Sequence, residues 1–222
     1  MKQKIIYLTI PVVLILGIAA QSGFAQGLLG KRNIGFAIGR MRPGDKDFFD
    51  DSIFELGGGI NIPVHPNVDA TFSLSYGKAE GDAGLIDSEG NYLVIDLETT
   101  AKAFLVGMNY HFTLKEKVNP FVGIAAGLVK REVEASYRGY KYYDEDEEDP
   151  IIAVGGGVEV ALNESLAVRP SITYQKIDSY DDFIAGIGLS LWFNESVFGN
   201  LSASYAFDDG DVAYSVGMGF GF

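Results

Sequence analysis

The last nine residues of the chain alternate strictly between large apolar and small side chains, and this segment restricts the fold more than any other. Tyr214, Val216, Met218, Phe220 and Phe222 fall on one face of an extended strand, with only serine and glycine between them. Five large apolar groups on a terminal strand need a covering layer of protein or the hydrocarbon of a membrane. The segment therefore predicts a strand that is apolar on one face, at a protein or lipid interface.

The same two-residue period recurs along the whole chain. From Val68 to Tyr76, apolar residues alternate with aspartate, threonine and serine, which has no helical interpretation. Comparable segments are centred on residues 34–38, 54–62, 68–76, 104–112, 122–128, 152–162, 166–174, 183–193, 201–207 and 214–222. They give about ten strands of roughly nine residues, close to the ~9–11 that a tilted transmembrane strand needs.

Apolar runs after the amino-terminal region are all interrupted by charges or glycines, so none of them predicts a transmembrane helix. A bilayer protein without such helices must be a closed barrel, and bacterial single-chain barrels have an even strand number. The predicted fold is all-β, an antiparallel up-and-down transmembrane β-barrel of about ten strands, with eight as the alternative.

The amino terminus predicts export. Lys2 and Lys4 precede an apolar run from Ile5 to Ala20, and small residues lead to Ala25, which is the pattern of a cleaved signal peptide. We therefore expect residues 1–25 to be a signal peptide and residues 26–222 to be one barrel domain. Without the two leader lysines the net charge is about −15, which disfavours nucleic-acid binding. Cysteine is absent, which excludes disulfides and thiolate metal sites.

Acidic residues are concentrated in alternate connections between the predicted strands. The connections at 42–52, 78–98, 130–150, 176–182 and 208–211 contain 24 of the 30 acids. The densest run is Asp144, Glu145, Asp146, Glu147, Glu148 and Asp149, next to Tyr140, Tyr142 and Tyr143. We interpret this run as a solvated loop. The alternatives are binding of a hard cation through oxygen ligands, with the metal unknown, or binding of an extracellular protein or glycan.

A leader, about ten amphipathic strands, short turns opposite longer connections and a terminal phenylalanine together resemble the small outer-membrane β-barrel superfamily of Gram-negative bacteria, the OmpA/OmpX-like and porin-like barrels. The resemblance implies residence in the cell outer membrane, with both termini in the periplasm and the acidic connections outside. It also implies that Tyr214, Phe220 and Phe222 act as an insertion signal. The implied partners are periplasmic chaperones and the barrel-insertion machinery during biogenesis, and outer-membrane lipid and lipopolysaccharide afterwards.

Polar residues assigned to the inner face predict a filled barrel. A three-residue turn at 163–165 places Glu159 opposite Arg169, and we expect these two to form an interior structural ion pair. Asp69, Lys102, Asn109, Glu55 and His111 are assigned to the same inner face. Interiors of barrels of about eight strands are just wide enough for side chains to fill.

His65 and His111 are the only histidines, and both fall at the turn end of their strands, away from the outer rim where a lipid- or peptide-cleaving base would act. We therefore expect no enzyme activity. No nucleotide, haem or iron-sulfur pattern is present, so no cofactor is predicted. The expected function is structural or surface-interactive, with acidic loops outward, and the alternative is a narrow channel for small solutes or cations.

Overall fold

A closed barrel of ten antiparallel strands forms the part of the chain that the computed structural model describes, which is residues 32–42, 53–86, 92–113, 117–137, 140–178 and 180–222. The strands are β1 (Asn33–Arg42), β2 (Ile53–His65), β3 (Val68–Ile86), β4 (Tyr92–His111), β5 (Val118–Tyr137), β6 (Tyr140–Ala161), β7 (Leu166–Ile177), β8 (Tyr180–Trp192), β9 (Val197–Ala206) and β10 (Val212–Gly221). Each pairs with its neighbours in sequence, and β1 pairs with β10. The predicted ten-stranded architecture is confirmed. The predicted signal peptide lies outside the described residues.

One end of the barrel, here called the turn end, carries both described chain ends and the four connections after β2, β4, β6 and β8. Two of these turns share the sequence Asn-Glu-Ser and the same local bonding. The side-chain oxygen of Asn163 accepts hydrogen bonds from the backbone N–H groups of Ser165 and Leu166 at 2.8 and 2.9 Å. Asn194 does the same for Ser196 and Val197 at 2.8 and 2.9 Å. Asparagine that mimics a backbone turn in this way fixes the register of the strands that follow.

Burial in the barrel is the reverse of that in a soluble protein. Outward-facing Leu74 is 64% exposed and Ile124 is 55% exposed, whereas inward-facing Glu55 and Gln175 are 1% and 0% exposed. Water-soluble proteins rarely expose contiguous apolar patches of this extent. The outer face is therefore a lipid-facing surface, and the interior holds buried polar residues beside apolar ones.

Strands β3 to β6 continue beyond the rest of the barrel at the other end, here called the loop end. The β2–β3 pairing ends at Phe54 opposite Lys78, and the β6–β7 pairing begins at Ile151 opposite Ile177. Beyond these points residues 79–86, 92–101, 129–137 and 140–150 form four strands that pair with one another. We call these four segments the projecting sheet. The expectation that 78–98 and 130–150 are loops is wrong, because most of both connections is paired strand.

The outer face of these strands changes character at one level. On β4 the outward residues Val106 and Phe104 are followed by Lys102 and Glu98, and on β5 Leu128 is followed by Lys130. Beyond this level the inner face becomes apolar, and Ile95, Leu97 and Ala135 form a buried cluster there. This reversal marks the end of the hydrocarbon layer, because an outward apolar face is stable only against lipid.

Candidate functional site: the barrel interior and the projecting sheet

Glu159 and Arg169 lie side by side in the turn-end half of the interior. Arg169 Nη1 is 3.9 Å from Glu159 Oε2, and both side chains are almost fully buried. The Arg169 guanidinium also lies 3.9 Å from the centroid of the Phe121 ring, in cation–π geometry. Asp69 adds further attraction for Arg169. The ion pair is thus packed against Phe121 and lies within electrostatic reach of Asp69.

Asp69 and His111 form a second buried pair beside it. His111 Nε2 is 2.9 Å from Asp69 Oδ2, which also accepts a hydrogen bond from the Asn61 amide at 3.0 Å. The hydrogen-bond network orients Asn119 so that its oxygen accepts from His111 Nδ1 at 2.9 Å, while its nitrogen donates to the Thr113 and Pro120 carbonyls. Both ring nitrogens of His111 are therefore engaged.

Aromatic side chains complete this layer. The Trp192 and Phe198 rings lie 4.8 Å apart, and glycines make room for them. A Cβ atom at Gly221 would come within 3.0 Å of the Trp192 ring, and one at Gly219 would overlap the Phe198 ring. We call the buried group formed by Asp69, His111, Asn119, Phe121, Glu159, Arg169, Trp192 and Phe198 the turn-end plug.

The loop-end half of the interior is different. Its wall contains an aliphatic cluster of Met41, Ile53, Ala79, Ala101 and Ala213. Glu55 lies among them, near enough to Asp211 for the two carboxylates to interact electrostatically. Neither carboxylate oxygen of Glu55 has a hydrogen-bond partner among the described residues.

Lys102 is not part of the interior. Its side chain is 52% exposed on the outer face, where Nζ donates to Glu132 at 3.1 and 3.3 Å. The expectation of an inward Lys102 is wrong, because it shares the outward face with Phe104, two residues along the strand. Asp69, Asn109, Glu55 and His111 do face inward and are buried.

The six consecutive acids lie on β6 in the projecting sheet, rather than in a loop. They oppose basic and acidic residues of β5, with Glu148 opposite Lys130, Glu147 opposite Arg131 and Asp146 opposite Glu132. Several are held in ion pairs: Lys130 contacts Asp146 at 3.2 Å, and Arg131 contacts Glu147 at 2.9 Å and also Asp149. The side chains of Tyr140, Tyr142 and Tyr143 lie outside the described set.

Ion pairing shifts the protonation of the exposed groups in this sheet. Hydrogen bonds that Lys141 donates to Asp144 and then to Glu134 raise its pKa to about 12. The pKa of Lys130 is raised by Glu132 and then Asp146. The pKa of Glu132 is lowered by hydrogen bonds from Lys102 and then Lys130. Each group is thus stabilised in its charged form.

The loop-end half of β6 has an open side. Residues 140–150 pair with β5 on one side and with no described strand on the other, since β7 begins its pairing at Ile151. An unpaired strand edge exposes N–H and C=O groups that can bind an added strand, and charge normally protects it from aggregation. Here the protecting charge is almost entirely negative.

Comparison with known proteins agrees with this geometry. The family model described as "Outer membrane protein beta-barrel domain" matches residues 11–199. The chain belongs to this outer-membrane barrel family. Among curated proteins, none matches the sequence.

Solved structures of outer-membrane barrels are similar in fold. The β domain of the Bordetella autotransporter BrkA is 11% identical, with a TM-score of 0.51 over 86% of this chain and 100% of that one. The translocator domain of the Neisseria meningitidis autotransporter NalP is 12% identical, with a TM-score of 0.50 over 93% of each chain. The attachment invasion locus protein Ail of Yersinia pestis is 14% identical, with a TM-score of 0.43 over 86% of this chain and 97% of that one.

Membership of the family confirms the resemblance predicted from the sequence and supports an outer-membrane location. The residues expected to form the insertion signal lie on the outer face of this barrel, with Tyr214 59%, Phe220 49% and Phe222 74% exposed. Their role in insertion stays a prediction.

Other site types have little support in the described part of the barrel. His65 is exposed in the turn after β2, and its Nδ1 accepts from the Asn67 backbone N–H at 3.4 Å. No helix among the described residues is long and apolar enough to cross a membrane. Within the same residues, no three His, Cys, Asp or Glu side chains are grouped to hold a metal ion.

Sequence reasoning missed three features of the site, namely the Asp69–His111 pair, the length of the projecting sheet and the lysines at its base. A signal for the sheet was present. The two-residue period continues through 128–135, but the face that is apolar at Leu128 becomes charged. Lys130, Glu132 and Glu134 follow Leu128 on that face.

Proposed function

We propose that this outer-membrane barrel is a non-enzymatic surface-interaction protein whose lumen is closed and whose projecting sheet binds an external partner. The main support is the edge of β6 at residues 140–150, which pairs with β5 on one side and with no described strand on the other. Exported by a signal peptide at 1–25, the chain would insert with its turn end in the periplasm and its loop end outside the cell. The projecting sheet would then stand above the lipopolysaccharide surface.

The partner that fits this edge is a protein segment in extended conformation that carries positive charge. Strand addition would satisfy the open backbone groups of β6, and the alternating side chains would set specificity. The run from Asp144 to Asp149 would attract lysine and arginine on the added strand. Glycan binding finds less support, because an acidic edge repels anionic sugars.

The turn-end plug supports a closed lumen. The Glu159–Arg169 and Asp69–His111 pairs and three aromatic side chains are buried at this level, so an ion would have to displace these side chains to pass. The turn-end plug also supports the absence of enzyme activity. Both ring nitrogens of His111, the buried histidine, are hydrogen-bonded, so neither is available as a base.

Binding at the β6 edge is measured with the refolded protein in detergent and two fluorescent synthetic peptides. One peptide alternates lysine with threonine, and the other alternates glutamate with threonine. We expect the lysine peptide to bind and the glutamate peptide not to. Glu145→Gln with Glu148→Gln should weaken binding, whereas Glu164→Gln with Glu195→Gln, which removes the same charge in the two turns, should not. Equal binding of both peptides, or equal loss in both variants, would contradict the proposal.

A narrow channel is the second candidate, favoured by polar atoms in the loop-end half of the lumen. The side chains of Glu55, Ser75 and Gln175 are buried and have polar atoms without a described hydrogen-bond partner. Such groups are normally satisfied by water. Planar-bilayer recording decides between the two: we expect no stable unitary conductance from the native barrel, and a stable one would establish the channel.

A further inference from the structure

Backbone groups along β6 point alternately toward β5 and toward the side where β7 lies. The N–H of Ala161 donates to the Lys117 carbonyl, next to β5, at 2.7 Å, whereas the N–H of Leu162 donates to the Leu166 carbonyl of β7 at 2.8 Å. The pairing with β5 keeps one register over residues 143–160 of β6. Because an antiparallel ladder alternates strictly, the even-numbered residues of β6 direct their N–H and C=O groups to the β7 side.

The ladder between β6 and β7 ends at Pro150. The β6–β7 register, which pairs Ile151 with Ile177, would place Pro150 opposite Asp178. Proline has no N–H to donate there, and Asp178 takes a left-handed conformation, with a φ of 49°, where the chain reverses into β8. The edge of β6 is therefore open beyond Pro150, while β5 continues to pair with residues 140–150 on the other side.

Three acidic residues direct their backbone groups to this open edge, namely Asp144, Asp146 and Glu148. Each offers one N–H donor and one C=O acceptor to an added strand. Their side chains lie on the outer face of the projecting sheet with that of Lys130, which is directly opposite Glu148, and the odd-numbered acids of 145–149 lie on the inner face. A strand that replaces β7 in the ladder would therefore place its own side chains beside acids on both faces.

The six acids of this strand are not equally available to a partner. Four of them already contact a base of the same sheet: Asp144 with Lys141, Asp146 with Lys130, and Glu147 and Asp149 with Arg131. Glu145 and Glu148 are exposed and form no ion pair with the residues that the structure describes. They lie three residues apart, so their side chains point to opposite faces. An added strand thus meets one unpaired carboxylate on each face.

We propose that the β6 edge selects an extended protein segment with two basic side chains three residues apart, one on each face of the added strand. One base would pair with Glu148 on the outer face and the other with Glu145 on the inner face. Opposite charges directly across a strand pair attract, and each such pair is worth up to about fivefold in affinity. This selectivity rests on the proposed strand addition and specifies its partner.

The test compares three fluorescent threonine octapeptides that differ only in the places of two lysines. Lysines at positions 3 and 6 have the proposed spacing, those at positions 3 and 5 lie on one face, and those at positions 3 and 4 lie on both faces at the wrong distance. The net charge is the same, so long-range attraction is the same. Fluorescence anisotropy with the refolded barrel in detergent should show about fivefold tighter binding of the first peptide, because each of the others can pair with only one free carboxylate at a time.

Variants of the edge test the assignment of the two carboxylates. Glu148→Gln should weaken binding of the first peptide about fivefold and make its affinity equal to that of the one-face peptide. Asp144→Asn is the matched control, because it removes an acid of the same strand that already contacts Lys141, and the fivefold preference should remain. Glu145→Lys with Glu148→Lys should transfer the preference to a peptide with glutamates at positions 3 and 6.

Equal binding of the three lysine peptides by the native barrel would overturn the selectivity and leave strand addition in place, provided that they still bind more tightly than a glutamate peptide. A preference lost in Asp144→Asn as completely as in Glu148→Gln would also overturn it, since the total charge of the edge would then set affinity. Failure of every lysine peptide to bind would remove the proposed function and this selectivity together. Heat-modifiable gel migration verifies that each variant is folded, and the comparison of peptides on the native barrel needs no variant.

Discussion

Ionisable residues inside the turn-end half of the lumen lie next to one another in pairs. Arg169 lies against Glu159, and His111 lies against Asp69, while Asn119 donates to two backbone carbonyls and accepts from His111. A buried charge without a partner is far more costly than a buried pair, so each residue constrains the identity of its partner. The pairs therefore explain why charge is tolerated at this depth.

A double-mutant cycle on Glu159 and Arg169 tests this at the residue scale. Arg169→Met should destabilise the barrel by about 3–5 kcal/mol, because Glu159 would remain buried without Arg169 beside it, and Glu159→Gln is the second single variant. The double variant Glu159→Gln, Arg169→Met should recover most of that loss. Urea unfolding in detergent gives the free energies, and an additive double variant would show that the two side chains do not interact.

Gly219 tests the packing of the aromatic layer. Its substitution by alanine would place a Cβ atom against the Phe198 ring and within 2.8 Å of the Ile34 carbonyl oxygen, which belongs to the backbone. Overpacking of this kind costs about 1–3 kcal/mol. The matched control is Gly58→Ala on the outer face, where the nearest atom is in the exposed Phe36 ring at 3.0 Å. We expect a smaller loss there, measured in the same urea titration, and an equal loss would contradict the packing argument.

At the scale of elements, strands β3 to β6 keep one alternation but exchange its polarity where they leave the lipid. On β5, Ile124 and Leu128 face outward within the band, and Glu132 and Glu134 occupy the same face above it. The strand itself is continuous because backbone pairing with β4 and β6 is continuous. What changes is the solvent, from hydrocarbon to water.

Glu132 gives this sheet a measurable pH response. Because hydrogen bonds from Lys102 and then Lys130 lower its pKa below the ordinary value of 4.5, its carboxylate stabilises the folded sheet above the unfolded-state pKa, and that contribution is lost as the pH falls through the lowered value. Carboxyl NMR of the labelled protein in micelles should show Glu132 titrating below 4.5. Lys102→Met should raise this pKa, and an unshifted titration in both proteins would contradict the ion-pair geometry.

The sequence predicts the transmembrane parts of these elements well and their extensions poorly. Segments such as 68–76 are recognisable because lipid enforces one apolar face and the lumen tolerates small polar groups. Residues 140–150 are not recognisable as a strand, because acids occupy both of its faces. The strand is stabilised by ion pairs with Lys130, Arg131 and Lys141. The Glu159–Arg169 juxtaposition was accessible from the short Asn163 turn. The Asp69–His111 pair depends on the register between β3 and β4, which no local pattern specifies.

On the scale of the whole molecule, the barrel separates three environments. A lipid-facing band surrounds it, a group of paired and aromatic side chains is buried in its turn-end half, and a charged sheet extends from one side of its loop end. Basic residues border the band at the loop end, and the Asn-Glu-Ser turns border it at the turn end. The position of the band is therefore a property of the entire structure, and it can be measured by substitution.

Arginine substitutions at two depths provide that measurement. Leu201 is 52% exposed near the middle of β9, and Val64 is 59% exposed next to the last residue of β2 at the turn end. Leu201→Arg should cost about 2–4 kcal/mol and Val64→Arg about 0–1 kcal/mol, because the penalty for a charge peaks at the bilayer midplane. Urea-dependent folding into phospholipid vesicles measures both. Equal costs at the two positions would mean that exposure alone sets the penalty, and that the apolar face of these strands does not contact hydrocarbon.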